Sequence, residues 1–414
     1  MDGGGGPRAG ARRGARDGAA RRGILTGRRM FIVFEGIDGS GKTTISNRVA
    51  KLLRRRGRAV AHVREGGEFA QPLVSRLREF GKDRRNFELE PVAELLLYAA
   101  REAQLIADAV RPALASHDLV FADRYLYSCE VLACDGRGLA RDIVRPIVDA
   151  TACGLWPDLV VLCDADPHIA RARRKARKIA KTAAGPRDDR GGGSRKSLGG
   201  VGMAHRMRSG YLALAAREPA RWLVVDNTWS RLDDVVDRVV GVIDAIASGA
   251  PVADAIARAR AAPFASPPAA DEPTAGAAAR AFFAFVEDRA EREPGVAAYL
   301  LSGLDDDRAW ALRRQLAADE PALVAYSIRG MNSEAAWQLR AALVDDAPYQ
   351  VARSLAGNAV DPRRAADLRE RLAAHQPLGV VASLRGDATE AAWRLRRRLA
   401  DAHLLAVVAS LAGD

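Results

Sequence analysis

One stretch, Phe31-Ile-Val-Phe-Glu-Gly-Ile-Asp-Gly-Ser-Gly-Lys-Thr-Thr44, narrows what this chain can fold into more than any other. An apolar run leads into Gly36, and Gly36 to Thr43 fits the pattern GxxxxGK(S/T) without deviation. It reads as a strand, a glycine-rich turn and the start of a helix, which is the build of a phosphate-binding loop. Gly36, Gly39 and Gly41 let backbone N–H groups turn inward around a phosphate, and the new helix points its positive end at the same place. Lys42 supplies a point charge for the β- and γ-phosphates, and Thr43 a hydroxyl for Mg2+, with Ser40 and Thr44 completing the loop. The loop calls for a nucleotide; it does not by itself fix a reaction.

The chain around it alternates buried-strand runs with amphipathic stretches. Phe31–Phe34, Ala59–Val63, Leu119–Ala122, Leu159–Cys163 and Trp222–Val225 read as strands, and Thr43–Arg55, Val92–Leu114 and Leu139–Cys153 as helices. That alternation predicts an α/β domain over residues 30–248, a parallel sheet flanked by helices. Residues 249–278 are rich in Ala and Pro and read as a linker with few large apolar side chains to fasten the halves together.

Residues 279–414 repeat. Gly303, Gly330, Gly357, Gly386 and Gly413 are spaced 27, 27, 29 and 27 apart. Pro294, Pro321, Pro348 and Pro377 each stand nine residues before one of the first four, and Trp310, Trp337 and Trp393 each stand seven after one. Proline suits a first helical turn and glycine a helix end, so each unit reads as a short helix, a Gly turn and a longer helix carrying AW-x-LR in three units. Stacked, they predict an all-α short-repeat solenoid that resembles HEAT-type repeats, with the Trp residues in its core.

Charge and cysteine content bound the rest. Net charge is +12, yet eight Arg against two Asp lie in residues 1–29, and thirteen Lys/Arg against two Asp in residues 171–208. The remaining chain is slightly acidic, which disfavours a general nucleic-acid-binding surface. The Gly/Arg tail, residues 1–29, has no apolar signal segment, and its composition predicts disorder. A start at Met30 and a basic RNA-binding tail are both open readings of it. No apolar run approaches the ~18–20 residues of a membrane span. Cys129, Cys134, Cys153 and Cys163 form no CxxC pair and read as reduced thiols of a cytoplasmic protein.

Two further motifs point to phosphoryl chemistry. The run Leu119 to Asp123 is a strand ending in an acid, which can hold the water shell of Mg2+ as a Walker-B acid does, and Arg124 can face a phosphate. The basic segment 171–208 suits arginines that close over ATP, neutralise the transferred phosphoryl group and shut out water.

Together these residues resemble the thymidylate kinase family of P-loop nucleoside-monophosphate kinases, over roughly residues 30–245. The resemblance rests on FEGIDGSGKTT, on Glu94-Leu-Leu-Leu-Tyr-Ala-Ala-Arg101, on DRYLYS followed by Gly136-Arg-Gly138, on WPDLVVLCDADP, and on Tyr211-Leu-x-Leu-Ala with LVVD. It implies a P-loop kinase fold, ATP and Mg2+ as cofactors, and dTMP as the leading acceptor. It implies that Lys42 and Arg124 bind phosphates, that Asp38 contacts the acceptor near its sugar and phosphate, and that Asp226 and Asn227 begin the loop that meets adenine. Arg64, Arg124 and the lid would hold the acceptor phosphate, and Ser128 would lie beside it. Gly39-Ser40 stands where some members carry an Arg, so catalytic arginines would come from the lid, with Arg174 and Arg190 as candidates.

The acceptor half departs from the family pattern. Arg64-Glu-Gly-Gly-Glu-Phe69 replaces REPGGT, and LLF-x-A-x-R is met in one of two registers. In the preferred one, Leu97 takes the place of the stacking Phe and Arg101 reads the base. In the other, Tyr98 is the aromatic and Glu102 stands where the Arg should be. The sequence leaves open a kinase of another monophosphate, and a nucleotide-binding regulator coupled to a repeat scaffold. A homodimer and a protein partner on the repeats are both compatible with it.

Overall fold

The structure, a computed structural model, describes residues 29–64, 71–82, 89–182, 200–262, 275–357 and 359–411. The expected tail, Arg190 and Gly413 lie outside the described residues, although Arg29 donates to the Leu114 carbonyl at 3.2 Å. Five strands form one parallel sheet: β1 (Met30–Glu35), β2 (Val60–Val63), β3 (Leu119–Asp123), β4 (Leu159–Asp164) and β5 (Trp222–Asp226), in the order β2-β3-β1-β4-β5. The five expected strands are all present. A parallel sheet needs a crossover between each pair of strands, and this is why the apolar runs alternate with helices.

The period-2 geometry of β1 divides the core. Met30, Ile32 and Phe34 pack with Ile45, Val49 and Leu53 of α1 (Lys42–Arg55) on one face. Phe31 and Val33 face the other side, among Leu95, Leu126 and Val144. That second layer contains α2 (Pro72–Lys82), α3 (Pro91–Leu105), a π-helical turn (Ile106–Val110), α4 (Arg111–Ser116), α5 (Leu126–Val131) and α6 (Arg141–Ala152). The single helix read over Val92–Leu114 is therefore interrupted by one wider turn. α7 (Pro167–Lys181), α8 (Gly200–Arg217) and α9 (Leu232–Ala247) complete the layers.

The stretch read as a linker begins with a helix, α10 (Val252–Ala261), whose Ala255 and Ile256 are buried in the α1–α9 layer. Beyond it, α11 (Ala275–Arg292) leads into the repeats. The short helices are α12 (Pro294–Leu300), α14 (Pro321–Ser327), α16 (Pro348–Ser354) and α18 (Pro377–Ser383). The longer ones are α13 (Asp307–Leu316), α15 (Glu334–Leu343), α17 (Pro362–Ala373) and α19 (Glu390–Leu411), the last broken at His403. Gly303, Gly330, Gly357 and Gly386 all have positive φ, so the repeated glycines end the short helices in the way expected. Trp310 and Trp337 are buried, but Trp393 is 42% exposed, so the core role holds for two of the three.

The repeats are held by arginine as well as by apolar packing. Arg313, Arg340, Arg369 and Arg396 are buried, and each donates through Nε to a serine fourteen residues later: Ser327, Ser354, Ser383 and Ser410. A second nitrogen of each donates to a carbonyl at the end of the preceding short helix: Leu301, Ile328, Leu355 or Leu384. Arg340 also lies 4.5 Å from the centre of the Trp337 ring. Each arginine therefore ties the end of its own unit's short helix to the short helix of the next unit.

The repeats also pack on the α/β unit. Ala172, Ala176 and Ile179 of α7 belong to the same buried cluster as Val296, Leu301, Leu323 and Val324. The fastening lies in α7, which the sequence assigned to a lid, and not in the linker.

Replacing Arg340 by Met keeps much of the apolar stem but removes donors from a fully buried site. It is expected to cost about 2–3 kcal/mol in a full-chain denaturation experiment, Ser354→Ala about 1, and the double variant less than their sum. Additive losses would show that the two side chains act independently.

Candidate active site

The P-loop lies where β1 meets α1, in the middle of the sheet. Gly39 has φ of 90°, and a Cβ there would run into the Ala170 carbonyl of α7; one at Gly41, also at 90°, would strike the Asn227 side chain. The glycines thus let the loop approach α7 and the turn after β5. Lys42 is buried and donates from Nζ to the carbonyls of Gly36 at 2.9 Å and Ile37 at 2.7 Å. Burial, then the neighbouring Arg124, lowers its pKa to about 8, while Asp38 and Asp123 oppose the fall. Thr43 donates to Asp123 Oδ2 at 2.5 Å, so the hydroxyl and carboxylate assigned to the metal converge. Among the described residues no three His, Cys, Asp or Glu side chains cluster as a metal cage. Two oxygen donors beside a phosphate-binding loop suit an ion that keeps water and phosphate ligands.

Arg124 opens the turn after β3 with φ of 78°, unusual for a residue with a side chain. Its position is over-determined. It pairs with Asp38, donates to Ser128 Oγ at 2.9 Å and to the Tyr211 hydroxyl at 3.2 Å, and its backbone N–H donates to Phe34. Beneath it lies Glu35, fully buried at the end of β1. Glu35 accepts from the backbone of Tyr125 and Ser128 at 2.9 and 3.2 Å, and from Ser128 Oγ at 2.7 Å. Burial pushes its carboxyl up, against the pull of Arg124 and its donors. Ser128, expected beside the acceptor, is buried, with its hydroxyl within hydrogen-bond reach of Glu35, Arg124 and the Tyr211 hydroxyl.

A cleft of about 990 Å³ runs from the P-loop outward. Asp38, Gly39, Gly41, Lys42, Thr43, Thr44, Asp123, Arg124, Arg174 and Asn227 line it, uniting most of the expected donor-side residues. Gly36, Ser40, Asp226, Arg64, Leu97, Tyr98 and Arg101 do not. Asp226 turns its carboxylate to the N–H groups of Thr228 and Trp229, so it shapes the loop that follows β5. Arg64 is exposed at the end of β2. Leu97, Tyr98 and Arg101 are half-buried on α3.

The comparisons with known proteins bear on the same elements. The family model described as thymidylate kinase matches residues 34–239. A thymidylate kinase of Nitratidesulfovibrio vulgaris (strain DP4) is 41% identical over 216 residues, 52% of this chain and 92% of that protein. This chain belongs to the thymidylate kinase family. Two further members, from Trichlorobacter lovleyi and Solidesulfovibrio magneticus, are 37% and 39% identical over 48% and 52% of this chain, and over 90% and 98% of theirs. The matched residues 34–239 end before α11, so the family model does not reach the repeats.

Within this thymidylate kinase fold, sequence reading missed three side chains. Glu35 looked like an ordinary residue of the loop motif, and only the structure buries it under Arg124. Tyr211 was noted for its pattern alone. Arg173, not its neighbour Arg174, donates to Asn227 O at 2.9 Å, and Asn227 Nδ2 donates to Ser40 O at 2.6 Å. On α3, Arg101 and Glu102 were read as alternatives, one in the site and one out. They are ion-paired, with Glu102 the more buried and Arg101 5.2 Å from the Tyr98 ring centre.

Because Lys42 loses its proton near pH 8, affinity of the free protein for a non-hydrolysable ATP analogue is expected to fall as pH rises through that value. The fall should approach about tenfold per pH unit by calorimetry. Folding carries the opposite sign, since between about 8 and the ordinary 10.5 the unfolded chain binds the extra proton and stability rises with pH. Affinity that is flat to pH 9.5 would contradict the assignment.

Proposed function

We propose that this chain transfers the γ-phosphoryl group of ATP to dTMP, giving dTDP. The observation that carries the reading is the convergence of Lys42, Thr43, Asp123 and Arg124 on one cleft, in a chain that spans 92% of a thymidylate kinase. In this reading Lys42 and the P-loop N–H groups hold the β- and γ-phosphates, and Thr43 and Asp123 would hold Mg2+ and its water, which would supply positive charge against the phosphates. Arg124 lies between donor and acceptor and draws the acceptor phosphate in line. Nothing in this scheme needs a covalent enzyme intermediate: the residues position the reactants and stabilise charge. Arg174 stands on the cleft wall as the arginine from α7 that approaches the transferred group.

The acceptor base is assigned to α3. Arg101 carries donors for a carbonyl oxygen of thymine, and Tyr98 beside it offers a ring. Glu102, behind Arg101, fixes the guanidinium and leaves the carbonyl-reading role to it. The four cysteines are all unpaired, which supports a reducing, cytoplasmic setting, and no helix among the described residues is long and apolar enough to cross a membrane.

Turnover of dTMP, dCMP, dUMP and dGMP with ATP tests the reading directly. dTMP is expected to lead. Arg101→Ala should lower kcat/KM for dTMP by about 10–100-fold while the KM for ATP holds. Glu102→Gln should do the same more mildly, because it frees the arginine to swing. If Glu102→Gln instead switched the preferred base and Arg101→Ala were silent, the base would be read by the acid, and dTMP would lose first place.

A further inference from the structure

The donor cleft has a wall that does not come from the kinase fold. Beyond Asn227 and Ser230 it is lined by Arg289, Arg292, Glu293, Pro294 and Val296, where α11 hands over to α12, the first short helix of the repeats. This junction is tied to the P-loop by consecutive hydrogen bonds. Glu293 takes both donors of Arg173 side by side, Nε at 2.7 Å and Nη2 at 2.8 Å. The same Arg173 holds the Asn227 carbonyl, and the Asn227 amide holds Ser40 of the P-loop. A second tie runs in parallel: Arg292 donates to the Trp229 carbonyl at 2.8 Å, and the Trp229 ring meets Phe285 edge-on at 4.9 Å.

Glu293 is the hinge of this arrangement. It also accepts from Arg289 at 2.6 Å, and Arg289 is 1% exposed. Two arginines thus share one carboxylate. Although burial pushes the acid up, its bonds to Arg173 and Arg289 hold it below the ordinary carboxylate range, so it stays charged. A fork-to-fork pair with a charged acid fixes both the place and the plane of a guanidinium. Without Glu293, Arg173 would keep one backbone carbonyl as its partner and would be free to leave the plane that now supports the 227–230 turn.

From this we infer that Glu293, a residue of the repeat junction, is a positioning residue of the donor-nucleotide site, acting through Arg173 and Asn227, so that the repeats are a working part of ATP binding. The ligand class is a nucleoside triphosphate, its phosphates on the P-loop and its base and ribose toward the 227–230 turn. This placement rests on the ATP-dependent reading above. The acceptor half, on α3 and the far side of Arg124, is outside the reach of the junction.

The test uses the full chain. Glu293→Gln keeps the shape and removes the charge. It is expected to raise both the Kd of a non-hydrolysable ATP analogue and the KM for ATP about tenfold, with the KM for dTMP nearly unchanged; the melting temperature falls, because Arg289 is left buried without its acid, and the assays are run well below it. Glu293→Asp, shorter but charged, should recover part of the loss. Glu287→Gln, on α11 just before the junction but in an exposed pair with Arg308, should leave ATP affinity as it was. Unchanged ATP affinity in Glu293→Gln would overturn the proposal. So would an equal rise in the dTMP KM, which would mark a general loss of structure and not a donor-side role. A wild-type chain that binds the analogue but fails to phosphorylate dTMP would sink the functional reading and leave this inference testable by binding alone.

Discussion

Everything in the α/β half is arranged around one buried ammonium. Lys42 is held by two carbonyls of the very loop that carries it, and that loop closes only because glycines at 39 and 41 allow α7 and Asn227 to approach. A cation so placed costs desolvation, and its pKa falls accordingly. The compensation is visible around it. Asp38 and Asp123 bring negative charge from the loop and from β3, and Glu35 lies beneath Arg124. The parallel sheet makes this possible by delivering the ends of β1, β3 and β4 to one edge, where side chains far apart in sequence become neighbours.

Much of this was legible in the sequence, and the limits have physical causes. The strands were found because a sheet buried on both faces writes continuous apolar runs. The P-loop was found because its backbone geometry admits few residues. The repeats were found because proline and glycine mark helix ends at fixed spacing. What escaped was the partnering of polar side chains. Glu35 and Ser128 look alike in a sequence whether they face a ligand or each other, and only burial decides. Arg313, Arg340, Arg369 and Arg396 stood in plain view in a repeated motif, yet their serine partners lie fourteen residues on, beyond any helical period. Arg101 and Glu102 were set against each other because neighbours on a helix point ~100° apart, but long side chains can bend across that angle and pair.

The basic segment shows how one pattern can carry two readings. Arg171 to Lys178 was read as a charged lid because its cations outnumber everything else there. Between those cations stand Ala172, Ala176 and, one turn on, Ile179, spaced as one stripe of a helix and buried against the repeats. The small residues govern where α7 lies, and the arginines then reach whatever that position allows. Arg173 and Arg174 reach the nucleotide cleft because the stripe is anchored elsewhere.

That anchoring changes what α7 can do. A lid hinged at both ends must order its arginines each time it closes, and each flexible side chain that is immobilised costs about 0.5–1.5 kcal/mol of entropy. Here the first part of the segment is already helical, packed on one face and fixed by Arg173 to Glu293 and to the Asn227 carbonyl. Much of the ordering is therefore done before a nucleotide arrives. The repeats supply it through an apolar stripe and one carboxylate, and they leave Arg124 and Lys42 to interactions made within the sheet. In the proposed reading, donor binding and the repeats then share one helix, while the acceptor is held on α3. Any partner that shifted α12 or α14 relative to α7 would act first on the nucleotide side of the reaction.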